Sequence, residues 1–295
     1  MGINNVIICG LGALGLTYAN KLKDICNLKI LADEKRIKKY LKNSPKFNGE
    51  NLLFDYILPT EYFKADLIII STKSSWLDSA IEYIKNFVHK NTIIISLING
   101  ISSEEKIQKI YKNNLVLKSY FIGHSAIKKD NNVTQDGYGK IVIEQNKDLE
   151  FFFKKNNINY EVSNNIEYSQ WVKLGVNIVL NQLTAIHETN VGELKKHKDY
   201  MFYAKNLINE TKNIAYLHGI KNIENYEQDV FDSINLIADD GKTSMYQDII
   251  AKKKTEIELF SGEIIKLGKI YNIKTPFNQD IYDKIKLKEE SFSWT

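Results

Sequence analysis

The sequence predicts an α/β protein: a doubly wound parallel sheet in the N-terminal half and an all-α domain in the C-terminal half. Three observations carry this. Short apolar runs alternate with helical patterns up to about residue 160. Those runs are apolar on both faces, as strands are when helices cover both sides of a parallel sheet. From Glu167 onward the strand pattern gives way to helical periodicity. The boundary is placed near Ser163, giving domains 1–163 and 164–295.

In order along the chain, Val6–Cys9 reads as a strand, Ala13–Leu22 as a helix, Leu28–Ala32 as a strand and Glu34–Leu41 as a helix. Leu67–Ser71 is the next strand, Trp76–Val88 a helix and Ile93–Ile98 a further strand. Phe47-Asn48-Gly49 is a turn signal suited to a hairpin. Strands near Ser119–Ile122 and Lys140–Glu144 are expected to extend the same sheet. In the second half helices are expected over Trp171–Leu183, Tyr200–His218, Asn225–Ala238 and Ile249–Tyr271.

Bulk composition narrows the partners. The chain has 295 residues, 43% hydrophobic, with 40 basic against 36 acidic side chains and a net charge of +4. That balance, without a dense basic block, argues against nucleic acid, while a mild positive excess suits small anions. Cys9 and Cys26 form no CxxC pair or Cys/His cluster, so no metal site is predicted. Two cysteines in a chain this long make no disulfide scaffold, which suits the reducing cytoplasm. No signal peptide is recognised, and the longest apolar runs are too short to span a bilayer.

Gly10-Leu11-Gly12-Ala13-Leu14-Gly15 fits GxGxxG and lies between a predicted strand and a predicted helix, the setting that gives the string its meaning. Gly10 permits the tight turn, Gly12 lets backbone approach a pyrophosphate, and Gly15 lets helix and strand pack closely. The loop predicts a dinucleotide site of Rossmann type, with phosphates at the helix N-terminus. Asp33, 21 residues after Gly12, stands where an acid would hold the ribose 2′-hydroxyl of NAD, yet Lys35 and Arg36 follow at once and suit the 2′-phosphate of NADP. Asp33 can equally serve as the N-cap of the helix beginning at Glu34.

In the second half Lys173, Asn177 and Asn181 recur every four residues and share one stripe of a helix that is otherwise apolar. Asparagine is a poor helix-interior residue, so two of them on a lysine-bearing stripe call for partners. With this segment, the sequence resembles the ketopantoate reductase (2-dehydropantoate 2-reductase) family over nearly its whole length. Carrying the resemblance are the glycine loop, Thr72-Lys73 with Trp76, Asn99-Gly100, the stretch from Lys173 to Leu183-Thr184-Ala185, Thr243-Ser244-Met245-Tyr246-Gln247-Asp248-Ile249, Lys254-Thr255-Glu256-Ile257-Glu258 with Gly262, and Thr275-Pro276-Phe277-Asn278. Motifs in this order are far more specific than any one alone.

The resemblance implies NADPH-dependent reduction of 2-dehydropantoate to pantoate, serving pantothenate and coenzyme A synthesis in the cytoplasm. It implies Lys173 as general acid and as part of the substrate site, with Asn177, Asn181 and Ser244 holding substrate. Gly10, Leu11, Gly12, Ala13, Leu14, Gly15, Lys73, Asn99, Ala126 and Glu256 would contact the cofactor, Glu256 where cofactor and substrate meet. The active site is expected in a cleft between the domains. Chemistry agrees with these roles, since hydride addition to a ketone creates an alkoxide that needs a proton donor.

Three departures from the family pattern matter. Asn190-Val191 precedes Gly192-Glu193-Leu194 where members often have Asn directly before Gly; Ile98 replaces a common His before Asn99-Gly100; and Ala32-Asp33 lies where many members carry a base. NADP(H) is therefore the expected cofactor with NAD(H) left open by Asp33, and another 2-oxo acid remains an alternative substrate. A non-catalytic NADP sensor is the remaining alternative, although it has no need of Lys173, Asn177, Asn181 and Glu256 together. His124 and His187 are weaker candidates for the acid. A homodimer is compatible with the helical half, whose apolar faces would serve a core equally well.

Overall fold

The computed structural model describes residues 2–123, 127–135, 137 and 139–292. It separates into two compact units, Met1–Ile166 and Glu167–Thr295. The first unit runs β1 (Asn5–Cys9), α1 (Ala13–Leu22), β2 (Asn27–Leu31), α2 (Glu34–Lys42), β3 (Lys46–Phe47), β4 (Glu50–Asn51), β5 (Tyr56–Ile57), β6 (Leu67–Ile70), α3 (Leu77–Tyr83), β7 (Ile93–Ser96), α4 (Ser103–Ile110) and β8 (Leu115–Leu117). It continues through β9 (Ser119–Gly123), β10 (Ile127–Lys129), β11 (Asn132–Thr134), β12 (Gly139–Ile143), α5 (Lys147–Lys155) and β13 (Tyr160–Val162). Among the described residues no helix is long and apolar enough to cross a membrane.

The principal sheet has the order β5-β2-β1-β6-β7-β8, parallel throughout. This is the doubly wound order, in which the direction of winding reverses between β1 and β6 and leaves a crevice at the carboxyl ends of those strands. Val6, Ile7 and Ile8 of β1 and Leu67–Ile70 of β6 are wholly buried, because helices cover both faces. That is why the sequence shows apolar runs here instead of alternation.

Two expectations need correction. Ser119–Ile122 and Lys140–Glu144 do not extend the main sheet. β9 pairs antiparallel with β12, and β12 pairs parallel with β13, in a separate three-stranded sheet. The open edge of β7 is taken by β8, three residues of which Leu115 is exposed, too short and too exposed to announce itself. Both sheets nonetheless share one core, since Phe121, Ile141 and Ile143 pack into the same cluster as Leu16, Tyr18 and Leu22 of α1. The Phe47-Asn48-Gly49 signal is a hairpin joining β3 to β4, with Asn48 and Gly49 at φ +50° and +88°, both positive as the favoured two-residue hairpin turn requires.

The second unit is helical: α6 (Ile166–His187), α7 (Val191–Lys196), α8 (Lys198–Leu217), α9 (Tyr226–Asn235), α10 (Ser244–Ile250), α11 (Ser261–Tyr271) and α12 (Pro276–Glu290). The second correction is here. The helix expected over Ile249–Tyr271 is broken between α10 and α11, and Lys252 takes φ +50° in the break. Four consecutive residues, Lys252–Thr255, interrupt the apolar stripe, and Thr255 is tied through its N–H and hydroxyl to Glu289 of α12 at 2.7 and 2.6 Å. Gly175 in α6 admits the phenol of Tyr226, whose hydroxyl donates to the Trp171 carbonyl at 2.7 Å; a Cβ on Gly175 would lie 2.6 Å from that oxygen.

The seat of α1 depends on two glycines. Gly10 has φ +103°, and a Cβ on Gly15 would lie 1.9 Å from the Gly10 oxygen and 2.4 Å from Ser71 Oγ. Gly15→Ala should therefore lower stability by about 1–3 kcal/mol, the cost of overpacking. Gly12→Ser, whose Cβ would meet only Ser71 O at 3.5 Å, should stay within about 0.5 kcal/mol of the parent. Urea unfolding followed by circular dichroism distinguishes the two.

Candidate active site

In the first unit the predicted cofactor residues gather at the carboxyl ends of neighbouring strands. Gly10–Gly15 follow β1 and open α1, Lys73 follows β6 as the exposed cap of a short 3-10 turn, and Asn99 follows β7. Ser71 Oγ donates to the Gly10 carbonyl at 2.8 Å and locks the glycine turn to the end of β6. Gly12 is the N-cap of α1, and an early helical bond runs from Leu16 N–H to its carbonyl at 3.0 Å. The leading N–H groups of such a helix have no intrahelical acceptors and favour an anion.

Two observations fit these residues to a dinucleotide. The geometry inside the protein accounts for Gly10 and Gly15, but not for Gly12, where a side chain would meet only ordinary contact. A glycine there is what close approach of a pyrophosphate requires. Beside the turn, and within reach of a Cβ placed on Gly10, Thr72 keeps its hydroxyl oxygen buried without a hydrogen-bond partner. A buried polar atom in that condition is costly unless a ligand satisfies it.

Asp33 has a definite structural task. Its Oδ1 accepts from Arg36 N–H at 2.8 Å as the N-cap of α2, and its Oδ2 lies 3.5 Å from Arg36 Nε. The Arg36 guanidinium lies 4.0 Å from the centre of the Trp76 ring, a cation–π contact. Cys9 is buried behind the turn, and burial pushes its thiol up to about 12; burial likewise raises Cys26 to about 11. Both stay protonated at neutral pH. Ala126 and His124 lie outside the described residues.

In the second unit α6 carries Lys173, Asn177 and Asn181 on one stripe, the first two half-buried and the third buried. Asn181 Nδ2 donates to Asn177 Oδ1 at 3.1 Å, while Asn181 Oδ1 accepts from the Ser244 hydroxyl at 2.9 Å and from Met245 N–H at 3.3 Å. Three predicted substrate residues are thus one hydrogen-bonded chain, and the two asparagines have the partners their burial demands. Ser244 is held there because Thr243 caps α10: its Oγ1 accepts from Tyr246 N–H at 3.3 Å and lies 2.7 Å from Thr184 Oγ1. Glu256 is half-buried in the break between α10 and α11.

Other predicted candidates have structural employment. Asn190 Oδ1 accepts from Glu193 N–H at 2.9 Å and caps α7. His187 and His197 both stack on the ring of Tyr200, their centroids 4.1 and 4.2 Å from its own. Burial, then the nearby Lys284, pulls His187 below the ordinary histidine range.

The residues that hold α6 in place were not singled out from the sequence. Gln182 Oε1 accepts from Ser261 N–H at 3.1 Å, and the Ser261 hydroxyl donates to Asn278 Oδ1 at 2.7 Å. Glu210 accepts from Phe277 N–H, Asn278 N–H and Asn278 Nδ2 at 2.8, 2.9 and 2.8 Å. The signal was present: Leu207, Glu210, Thr211 and Ile214 are spaced as one buried helical stripe, and a carboxylate on such a stripe must find donors.

A glycine turn shaped for pyrophosphate on a doubly wound sheet, with a polar helical stripe bearing lysine in a second unit, defines a dinucleotide-dependent oxidoreductase. Comparison with known proteins narrows the class. Residues 6–148 match the family model "Ketopantoate reductase PanE/ApbA", and residues 165–289 match "Ketopantoate reductase PanE/ApbA C terminal". A 2-dehydropantoate 2-reductase of Lactococcus lactis is 28% identical over 318 residues, covering 97% of this chain and 98% of its own. One from Pyrococcus horikoshii is 30% identical over 234 residues, 77% of this chain and 76% of its own. In fold, the chain is similar to D-mandelate dehydrogenase in its ternary structure with NADH and anilino(oxo)acetate, with a TM-score of 0.84, 24% identity, and 98% and 99% of the two chains covered. The chain belongs to the ketopantoate reductase family.

The Glu210 network generates a stability prediction. Glu210→Ala strands three donors that now reach a carboxylate, each bond worth about 1.5–3 kcal/mol when charged, so unfolding free energy should fall by at least about 3 kcal/mol. Glu210→Gln, keeping one acceptor oxygen, should lose less. Chemical denaturation of the two variants measures the difference.

Proposed function

We propose that this chain reduces 2-dehydropantoate to pantoate with NADPH, using Lys173 as general acid. The observation that carries the reading is the chain Asn177–Asn181–Ser244 on the stripe of α6 that also bears Lys173. Neutral amide and hydroxyl groups can orient a carboxylate without a competing charge, and the lysine supplies the proton. When bound, reduced nicotinamide supplies the hydride to the ketone carbon. As the carbonyl oxygen gains charge, the Lys173 ammonium donates a proton to it and yields the product hydroxyl. Asn177, Asn181 and Ser244 fix the substrate so that this oxygen faces the lysine, and Glu256, an acceptor when ionised, takes a hydroxyl of substrate or ribose.

Two observations support NADPH over NADH. The Asp33 carboxylate is already engaged at both oxygens by Arg36, which leaves it poorly placed to hold a ribose diol. Arg36 and Lys39 of α2 line a cleft that reaches Leu11 of the glycine turn, a cationic surface suited to a phosphate. A second reading, reduction of another 2-oxo acid with NADH, is favoured by the likeness in fold to D-mandelate dehydrogenase. Oxidation of NADPH and NADH with 2-dehydropantoate and a panel of 2-oxo acids decides between them. The highest kcat/KM should belong to 2-dehydropantoate with NADPH. A better aromatic or branched 2-oxo acid selects the second reading, and cofactor binding without turnover on any oxo acid would leave only a sensing role.

Lys173→Ala should lower kcat by roughly 10²–10⁴-fold while the dissociation constant for NADPH, measured by calorimetry, stays within a few-fold. Ser244→Ala should act mainly on KM, raising it about two- to tenfold, the loss of the one neutral hydrogen bond by which Ser244 fixes Asn181. Steady-state kinetics of both variants tests the division of roles.

A further inference from the structure

The cleft beside the glycine turn has a wall that comes from far along the chain. Its volume is about 400 Å³, and it is lined by Leu11 of the turn, Arg36 and Lys39 of α2, and Lys128 and Asp130 of the β10–β11 hairpin. Three cations therefore face one cavity. The opposing charges nearby are Asp33, already paired with Arg36, and Asp130.

Lys128 is held in this position by its backbone. It pairs with Val133 across the hairpin, Val133 is wholly buried, and β11 in turn pairs with β3. Asn131 Nδ2 donates to the Ser44 carbonyl at 2.8 Å and the Lys46 N–H to the Asn131 carbonyl at 2.7 Å, fastening the hairpin to the segment after α2. From there the Lys128 ammonium donates to the carbonyl of Leu11, inside the glycine turn. An ammonium has three donors, and Leu11 takes one of them. Burial, then Lys39 and Arg36, pulls Lys128 below the ordinary lysine range, and an anion placed among the three cations would favour its charged form.

The position of the cleft names the anion that would supply it. The glycine turn takes the pyrophosphate, and the start of α2, at the end of β2, lies where the adenosine ribose falls in this fold. A phosphate on the ribose 2′-oxygen would enter the space between α2 and the hairpin. We propose that Lys128 is the residue through which this chain selects a 2′-phosphorylated dinucleotide, its ammonium joined to the glycine turn at Leu11 on one side and to the phosphate on the other. This rests on the cofactor reading above and adds to it a specificity residue outside the β2–α2 segment where such residues are sought.

Calorimetric binding of NADP⁺ and NAD⁺ to the full chain tests it, with 2′-AMP and 5′-AMP as fragments. The parent should bind NADP⁺ at least about tenfold more tightly than NAD⁺, and Lys128→Gln and Lys128→Met should each lower that ratio about tenfold, the scale of one charge-assisted contact. Lys128→Arg should keep most of it, and the preference for 2′-AMP over 5′-AMP should fall in step. A ratio unchanged in Lys128→Gln and Lys128→Met overturns the proposal; if both affinities drop together, Lys128 merely buttresses the turn. A parent with no preference for NADP⁺ overturns the cofactor reading as well, whereas a preference that survives both variants overturns the role of Lys128 alone.

Discussion

The first unit depends on one close contact: the N-terminus of α1 set directly against the end of β1, with no room for a Cβ on Gly15 above the Gly10 carbonyl. Because the helix sits that low, Ser71 at the end of β6 can reach the same carbonyl, and the crevice at the reversal of strand order becomes a defined turn. Close seating also carries Leu16, Tyr18 and Leu22 into the core where the second, smaller sheet packs. Gly10 and Gly15 are required by the protein's own atoms, whereas a Cβ on Gly12 would meet nothing closer than Ser71 O at 3.5 Å.

The second unit solves a different problem, which is to keep polar groups on a helix that is mostly buried. α6 contributes Leu174, Ile178, Val179 and Leu183 to the core, each at most 1% exposed, while Gln182 on the same helix is buried and bonded to Ser261. Each buried polar group is answered by another element: Asn181 by α10, Gln182 by α11, and Asn278 by Glu210 of α8. Since a half-satisfied network is costly in a low-dielectric interior, these bonds fix the rotation of α6 about its axis. That rotation decides which way the Lys173 stripe faces.

Much of this was legible in the residues. The strands β1, β6 and β7 are legible because burial on both faces leaves an uninterrupted apolar run, and α1 is bounded by Gly12 before it and by the end of its apolar pattern after it. The stripe Lys173–Asn177–Asn181 is legible because helical spacing is a local property. Asp33 shows the limit of local reading: the sequence allowed a ribose ligand or a helix cap, and the bond from Arg36 N–H supplies the cap.

What the sequence by itself determined, then, is what depends on periodicity and short spacing: the fold class, the glycine turn, the polar stripe of α6 and the family. Tertiary structure alone decided what depends on pairing between distant segments. It gave β9 and β12 a sheet of their own, because β8 had already filled the edge beside β7. It broke the expected long helix at Thr255, because Glu289 on α12 takes the Thr255 N–H and hydroxyl. It also brought Lys128 to Leu11, 117 residues away. A hydrogen bond or an edge strand has no periodic trace in the chain, because its partner is chosen by where the backbone has already been placed.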